Sequence, residues 1–201
     1  MPDADPEGAR NNLNVTVYGI RKVLGRAQPD VAHIVLEDGC YRLNADLDLW
    51  IDLEAFDDRL RAGRALESQG QVDVAIAAYR EAEQLYQGDL FAEERGEDWC
   101  LPERQRLRES ALDLLRRLAR LSLAQEDPHA AVAAHRRLLG IDPCDEESHR
   151  ELMRLYARLD RPQLAVRQFR SCADALSREL HMIPSPETTA LYRRIQRREG
   201  P

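Results

Sequence analysis

The sequence predicts an all-α fold that carries one small β appendage. Apolar residues recur at helical spacing over most of the 201 residues. Prolines stand at the first turn of four predicted helices, where the missing N–H costs nothing. The strand signal is confined to one short stretch near the N-terminus, where Asp38-Gly39 separates two β-prone runs.

The first predicted elements are a helix and a hairpin. Asp5-Pro6 offers an N-cap followed by a proline, and Gly25 suits a left-handed C-cap. A hairpin is predicted from residues 33–36 and 40–43, joined by Asp-Gly. The apolar stripe of the helix, at spacings of four, three and four, consists of Leu13, Val17, Ile20 and Leu24.

Everything after Asp52, which is predicted to cap a helix, is expected to be helical. The segment 88–99 has glycines and acids without a clear period and is predicted to be a loop or a short irregular helix. The helices are predicted at about 52–68, 72–87, 102–124, 129–139, 145–159, 162–180 and 186–198. Four of them begin with the prolines Pro102, Pro128, Pro162 and Pro186.

The helical part repeats itself at an interval of about 34 residues. Thirty-four residues is the length of the tetratricopeptide helix pair, in which small residues let two helices approach closely. The sequence therefore predicts three degenerate repeats and a closing helix from Pro186, and a generic bundle with chance spacing is the alternative. The residues that carry the interval are Ala131, His135 and Leu139 with Ala165, Phe169 and Ala173, and Leu118, Ala119 and Ser122 with Leu152, Met153 and Tyr156.

Stacks of helix pairs usually bind peptides or partner domains on a concave face lined by the first helix of each pair. Guanidinium groups on successive turns of such helices can grip carboxylates with two hydrogen bonds each. The alternative is a solvated face on which Asp113, Glu147 and Glu151 neutralise the arginines in exposed pairs worth under about 1 kcal/mol. The arginines predicted to face this groove are Arg64, Arg116, Arg120, Arg150 and Arg154.

Two segments resemble parts of known families. Residues 11–25 (NNLNVTVYGIRKVLG), followed by a hairpin ending in residues 39–43 (GCYRL), resemble the end of an OmpR-type winged helix, where a recognition helix precedes a two-stranded wing. Residues 179–187 (ELHMIPSPE), with Leu191 and Ile195, are similar to the ending of the bacterial transcriptional activator domain. In this order, the two segments resemble the SARP-type bacterial regulators.

The resemblance implies a partial winged-helix segment at residues 1–45 and a right-handed, tetratricopeptide-like activator domain at residues 52–201. Because few residues precede the helix, we expect the chain to carry the last part of the winged helix. Positive charge and short amides opposite the apolar stripe suit the major groove, and an ordinary solvated helix face is the alternative. The residues expected to contact bases or phosphates are Asn11, Asn12, Thr16, Tyr18, Arg21 and Arg42.

The function implied by the resemblance is regulation of transcription in the cytoplasm. The partners expected are promoter DNA, for the full-length protein with a complete winged helix, and, through the repeats, RNA polymerase, an effector domain or a second copy of the chain. A protein-binding repeat adaptor that has lost DNA binding is the alternative from another class. Salt-dependent binding to a DNA duplex would separate the two.

The composition argues against several other classes of protein. The 36 acidic and 29 basic residues give a net charge of −7, which argues against a protein covered in nucleic acid. The sequence contains no run of 18 apolar residues, so no membrane span is predicted. The cysteines lack metal-ligand spacing and are expected to be buried, reduced thiols. These are Cys40, Cys100, Cys144 and Cys172.

No motif predicts catalysis, a cofactor or a metal. A glycine-rich phosphate loop, a GxSxG elbow and an HExxH pair are all missing from the sequence. The histidines are scattered, and His135 occupies a repeat position that usually holds a packed aromatic side chain. One acidic run could attract a cation or a basic partner, and a solvated loop is the alternative. It consists of Glu93, Glu94, Glu97 and Asp98.

Overall fold

The computed structural model describes residues 6–26, 30–93 and 98–197. The chain divides into two compact units, Met1–Trp50 and Ile51–Pro201, and each is described by itself. Helices make up most of the described residues, and their only strands form one hairpin. The prediction of an all-α fold with a small β appendage is confirmed.

The N-terminal unit contains helix α1 (Pro6–Leu24) and strands β1 (Ile34–Glu37) and β2 (Cys40–Leu43). The strands pair antiparallel, with Glu37 opposite Cys40 and Ile34 opposite Leu43. Asp38 and Gly39 both have positive φ, 51° and 78°, as the tight hairpin turn favoured by Asp-Gly requires. The predicted cap residue Asp5 lies outside the described residues.

The apolar stripe of α1 is buried at one position. Val17 is 5% exposed, whereas Leu13 is 51% and Ile20 43% exposed, and Leu24 is half-buried. The stripe therefore predicted the helix correctly, but only its centre is covered.

The second unit is built from seven helices with one short 3-10 turn, Asp98–Cys100, among the described residues. The structure corrects the predicted cap, because Ile51 is the N-cap and Asp52 is already the first helical residue. The predicted end at Arg198 lies outside the described residues, as do Glu94 and Glu97 of the acidic run. The helices are α2 (Asp52–Ser68), α3 (Val72–Leu85), α4 (Leu101–Ala124), α5 (Pro128–Ile141), α6 (Glu146–Arg158), α7 (Pro162–Leu180) and α8 (Pro186–Gln196).

The helices pack as consecutive pairs. Helix α2 packs on α3, α4 on α5 and α6 on α7, and α8 closes the stack against α6 and α7. Ala75, Ala131 and Ala165 on the second helix of each pair are fully buried, so small side chains mark the helix contacts. Ala131 and Ala165 are separated by the predicted 34 residues, whereas Ala75 precedes Ala131 by 56 because the irregular segment after α3 lies between them. A Cβ atom on Gly63 would lie 2.5 Å from the Tyr79 ring. Only glycine at this position lets α2 and α3 approach so closely.

The closing helix α8 is held by a carboxylate at the start of α6. Glu146 Oε2 accepts hydrogen bonds from the Ser185 backbone N–H (3.0 Å), the Ser185 hydroxyl (2.9 Å) and the Thr188 hydroxyl (2.6 Å). Thr188 is fully buried. Although burial raises the pKa of Glu146, the hydrogen bonds from Thr188 and Ser185 lower it below its ordinary value overall. The Pro184–Glu187 segment thus locks α8 onto the last helix pair.

Candidate DNA and protein interfaces

Four of the predicted DNA contacts lie exposed on α1. Asn11, Asn12, Thr16 and Tyr18 occupy sides of the helix that do not carry the buried Val17. Tyr18 is 68% exposed. The Thr16 hydroxyl donates to the backbone carbonyl of Asn12 at 2.9 Å, so this bond does not involve the side-chain amide of Asn12. The exposed sides of α1 therefore present amide and hydroxyl groups.

Arg21 lies on the same face as Val17, four residues further along. Its Nε and Nη2 donate to the Ile34 carbonyl at 3.2 and 2.9 Å, and its guanidinium carbon is 5.4 Å from the centre of the Tyr41 ring. Tyr41 in turn donates to Asn14 Oδ1 at 2.9 Å. Arg21 was predicted to contact phosphate, but in this structure it joins α1 to the hairpin.

The hairpin carries the sixth predicted contact. Arg42 lies 4.0 Å from Glu37, and both side chains are largely exposed. A cleft of about 430 Å³ separates the end of α1 from the approach to β1, lined by Arg21, Gly25 and residues 31–36. Asn14 and Tyr41 were not among the predicted residues, although Asn14 stands three residues before Val17, on the face that meets the hairpin.

A second cleft, of about 470 Å³, lies between α4, α5 and α6. We call it the α4–α6 groove. Arg116 and Arg120 are the two predicted groove arginines that line it. Its full lining is Asp113, Arg116, Arg117, Ala119, Arg120, Leu123, His135, Glu147, Ser148 and Glu151.

The predicted groove arginines are paired with carboxylates of the chain itself. Arg116 lies 2.6 Å from Asp145, and Arg120 binds Glu67. Arg64 lies 2.9 Å from Asp113. These partners sit on other helices or at their caps, so the pairs hold the first helices of successive repeats together.

The last two predicted arginines are also engaged. Arg150 donates to the Thr188 hydroxyl at 3.1 Å, so it turns toward α8 and away from the α4–α6 groove. Arg154 binds Glu151 one turn away on α6. Asp113 and Glu151 thus neutralise arginines, as the alternative interpretation expected. Asp145 and Glu67 were not predicted as partners of these arginines.

Arg117, which was not among the predicted residues, is the centre of a partly buried polar cluster. It donates to Glu67 (2.9 Å) and to Asp113 (2.8 Å), and Glu67 also accepts from the Tyr79 hydroxyl (2.7 Å). Burial, followed by the bond to Glu67, raises the pKa of Tyr79 to about 12. Burial raises the pKa of Glu67 as well, but the bonds from Tyr79 and Arg117 lower it overall. The i, i+4 spacing of Asp113 and Arg117 was the one available signal.

His135 lies at the floor of the α4–α6 groove. It is buried, and its Nδ1 is 3.1 Å from the Ser148 hydroxyl of α6. Burial lowers the pKa of His135, although Glu151 and Asp145 act in the opposite direction. A neutral imidazole therefore fills the position predicted for a packed aromatic ring.

The cysteines differ in environment. Cys100 and Cys172 are buried, as predicted, and burial raises the pKa of Cys172 to about 12. Cys40 is exposed and Cys144 partly exposed, so the expectation of buried thiols is wrong for these two. Cys40 precedes Tyr41, whose side chain bonds Asn14 of α1, so on strand β2 Cys40 faces the other side of the hairpin.

The described residues contain no group of three histidine, cysteine or acidic side chains arranged to hold a metal ion. None of their helices is both long enough and apolar enough to span a bilayer.

Comparison with known proteins adds three findings. Residues 51–196 match the profile of the Bacterial transcriptional activator domain. The transcriptional regulatory protein MoaR1 of Mycobacterium tuberculosis is 24% identical over 193 residues, which are 96% of this chain and 62% of that protein. The structure of Mycobacterium tuberculosis EmbR, solved with a low-affinity phosphopeptide, aligns over all of this chain and 53% of EmbR, with a TM-score of 0.66 and 25% identity.

A second structure supports the fold alone. The C-terminal tetratricopeptide domain of a Plasmodium falciparum FK506-binding protein aligns over 74% of this chain and 93% of that domain, with a TM-score of 0.50 and 15% identity. The predicted tetratricopeptide-like stack is thereby confirmed. The chain spans between half and two thirds of the length of MoaR1 and EmbR.

Proposed function

We propose a function for this chain from its family, the bacterial transcriptional activator domain family, in which it is a regulator of the SARP type. Its N-terminal unit holds promoter DNA, and its repeats contact another protein. The observation that carries the proposal is the order of the two units. A helix with a hairpin is followed directly by the helix-pair stack, and the likeness to EmbR extends over both.

The proposed DNA contacts use the exposed sides of α1. An asparagine amide can pair with two atoms of adenine in the major groove, and Asn11 and Asn12 supply such amides. Thr16 and Tyr18 add hydroxyl groups beside them. Arg42 on β2 is proposed to reach a phosphate from the hairpin. Arg21 uses two of its five N–H groups on the Ile34 carbonyl, and we propose that the others reach phosphate.

The proposed protein contact is the α4–α6 groove. Since Arg116 and Arg120 are already paired, a partner must offer both carboxylates and cations if it is to exchange these pairs without leaving a charge unpaired. Ala119 and Leu123 supply apolar surface between them. We propose RNA polymerase, an effector domain or a second copy of the chain as the partner, and the cytoplasm as the place of action.

The DNA contact is tested by Asn12→Ala. Sequences enriched from a random duplex pool by the wild-type chain serve as the probe, and each base position is then varied in turn. We expect the variant to lose about 5- to 150-fold of its preference at one position, as the loss of a bidentate pair implies. The control is Gln163→Ala, which removes an exposed amide from α7. An unchanged preference in Asn12→Ala would show that the assigned face of α1 is wrong.

The protein contact is tested by transcription in vitro from an enriched sequence with purified RNA polymerase. We expect Arg120→Glu to lower activation and to leave duplex affinity unchanged, because Arg120 lines the groove of the second unit. Arg61→Glu is the matched control, since Arg61 pairs only with Asp58 one turn away on α2. Equal activation by both variants would contradict the groove assignment.

A further inference from the structure

Charge is distributed unevenly along the second unit. Residues 51–151 contain 23 acidic and 14 basic residues, whereas residues 152–201 contain five acidic residues and ten arginines. The last part of a chain with a net charge of −7 is therefore positive. Such a local excess of one sign marks a surface that attracts the opposite charge.

Several of these arginines lie at the end of α6, in the turn that follows it, on the first half of α7 and on the last turn of α8. We call this cluster the basic end. Helix α6 finishes there, α7 begins there, and the stacked rings of Phe169 and Tyr192 (centroids 4.0 Å apart) bring the last turns of α8 against the first half of α7. The basic end consists of the exposed residues Arg158, Arg161, Arg167, Arg170 and Arg193.

The basic end differs from the groove arginines in its pairing. Among the residues that the structure describes, none of its five arginines has a carboxylate within 4.0 Å, whereas Arg64, Arg116 and Arg120 each have one. Asp160, in the turn between α6 and α7, is the one acidic residue between Arg158 and Arg170 along the chain. The guanidinium groups of the basic end are thus exposed and available to an anion.

The chemistry of the surface distinguishes between two kinds of anionic partner. Protein interfaces combine an apolar centre with a polar rim. Among α6, α7, α8 and their connections, the exposed large apolar residues are Leu180, Met182 and Ile183. They lie at and just after the C-terminal end of α7, whereas the basic end includes its N-terminal half. Nucleic-acid backbones are contacted mainly by arginine and lysine on polar, positive surfaces.

We propose that the basic end binds the phosphate backbone of duplex DNA without reading its sequence. This goes beyond the proposed function, in which DNA is contacted through α1 and its hairpin. The contact adds affinity on every sequence, and the preference for particular bases is left to α1.

The test measures binding of the full chain to a random-sequence duplex over a range of salt concentrations. The variant carries Arg158→Gln, Arg161→Gln and Arg193→Gln. We expect the slope of log affinity against log salt to fall by about 2 to 3, since each lost phosphate contact lowers it by about 0.9. Circular dichroism checks that the helices are retained, as expected for exposed side chains.

The control variant carries Arg59→Gln, Arg61→Gln and Arg80→Gln, which remove the same charge from exposed positions on α2 and α3. We expect its slope to equal that of the wild type. Equal slopes for both triple variants would overturn the proposal. Tighter binding of wild type to polyglutamate than to the duplex at equal charge would also overturn it, by identifying an acidic protein as the partner. Asn12→Ala changes base preference and not this slope, so failure of one proposal leaves the other standing.

Discussion

The two units of the chain are stabilised in different ways. In the second unit, whole side chains such as Leu138 and Leu152 are removed from water. In the described part of the first unit, Val17 alone among the large apolar residues is buried, and polar contacts from Arg21 and Tyr41 connect its helix to its hairpin. Since apolar burial supplies most of the folding free energy, stability resides in the stack, and most side chains on the described part of α1 stay exposed to solvent.

The largest expected effect is on the stack, from Gly63→Ala. The added Cβ atom would lie 2.5 Å from the Tyr79 ring, which is fully buried and bound to Glu67. We expect a loss of about 3 kcal/mol in the free energy of unfolding, as for overpacked cores. The measurement is urea unfolding followed by circular dichroism.

Gly140→Ala is the matched control for that substitution. A Cβ atom there would meet nothing within 4 Å, and the residue lies inside α5. We expect this change to be neutral or to stabilise by up to about 1 kcal/mol, because alanine favours the helix. If both substitutions had the same effect, the close contact between α2 and α3 would not be what stabilises the first repeat.

The next effect concerns the closing helix. Thr188→Val keeps the shape of the side chain but removes the hydroxyl that donates to Glu146 at 2.6 Å. We expect the free energy of unfolding to fall by about 2 kcal/mol, because the partly buried carboxylate of Glu146 loses a donor. Thr189→Val, one residue further along and less buried, should change it by under about 0.5 kcal/mol. Equal losses of unfolding free energy in Thr188→Val and Thr189→Val would show that the bond from Thr188 to Glu146 is not what holds α8 in place.

The stack is expected to lose stability in mild acid, through its two buried histidines. Burial lowers the pKa of His135, and it lowers that of His149, whose ring bonds the Pro143 carbonyl at 3.0 Å, despite opposing effects of Asp145 and Glu146. A lowered pKa means that the unfolded chain binds protons that the folded chain does not. The stabilisation that the two neutral histidines provide is therefore complete above 6.5, the ordinary pKa of histidine. It decreases as the pH falls below that value.

Urea unfolding at a series of pH values between 7.5 and 5 measures this loss. Each histidine contributes a slope of at most about 1.4 kcal/mol per pH unit. Replacing the exposed His129 by glutamine should leave the slope unchanged. A stability that does not change over this range would contradict the assignment of neutral, buried imidazoles.

The smallest effect is expected in the first unit, from Arg21→Ala. Loss of its bonds to the Ile34 carbonyl removes about 1 kcal/mol of the interaction between helix and hairpin. Amide hydrogen exchange should become faster in β1 and β2 and stay unchanged in α2 to α8. Lys22→Ala, an exposed neighbour, is the control. Faster exchange in the stack as well would show that the two units do not differ in the way described.

The sequence predicted the helices of both units closely, because proline, glycine and the apolar period act over short distances. It predicted the repeat because alanines must stand at fixed intervals where helices touch. It did not predict the partners of the arginines, since Arg64 meets Asp113 49 residues away and Arg120 meets Glu67 53 residues away. Pairs so far apart depend on how helices pack, which no local pattern encodes. The position of Arg21 against the hairpin was missed for the same reason.

An NMR titration of the whole, isotope-labelled chain with an enriched duplex tests most directly which surfaces of the chain contact DNA. The account predicts that the signals of Asn11, Asn12, Thr16 and Tyr18 shift, together with Arg42 in the hairpin and the arginines of the basic end. The signals of the α4–α6 groove, including Arg116 and Arg120, should stay in place. Shifts confined to that groove, with α1 unaffected, would contradict it.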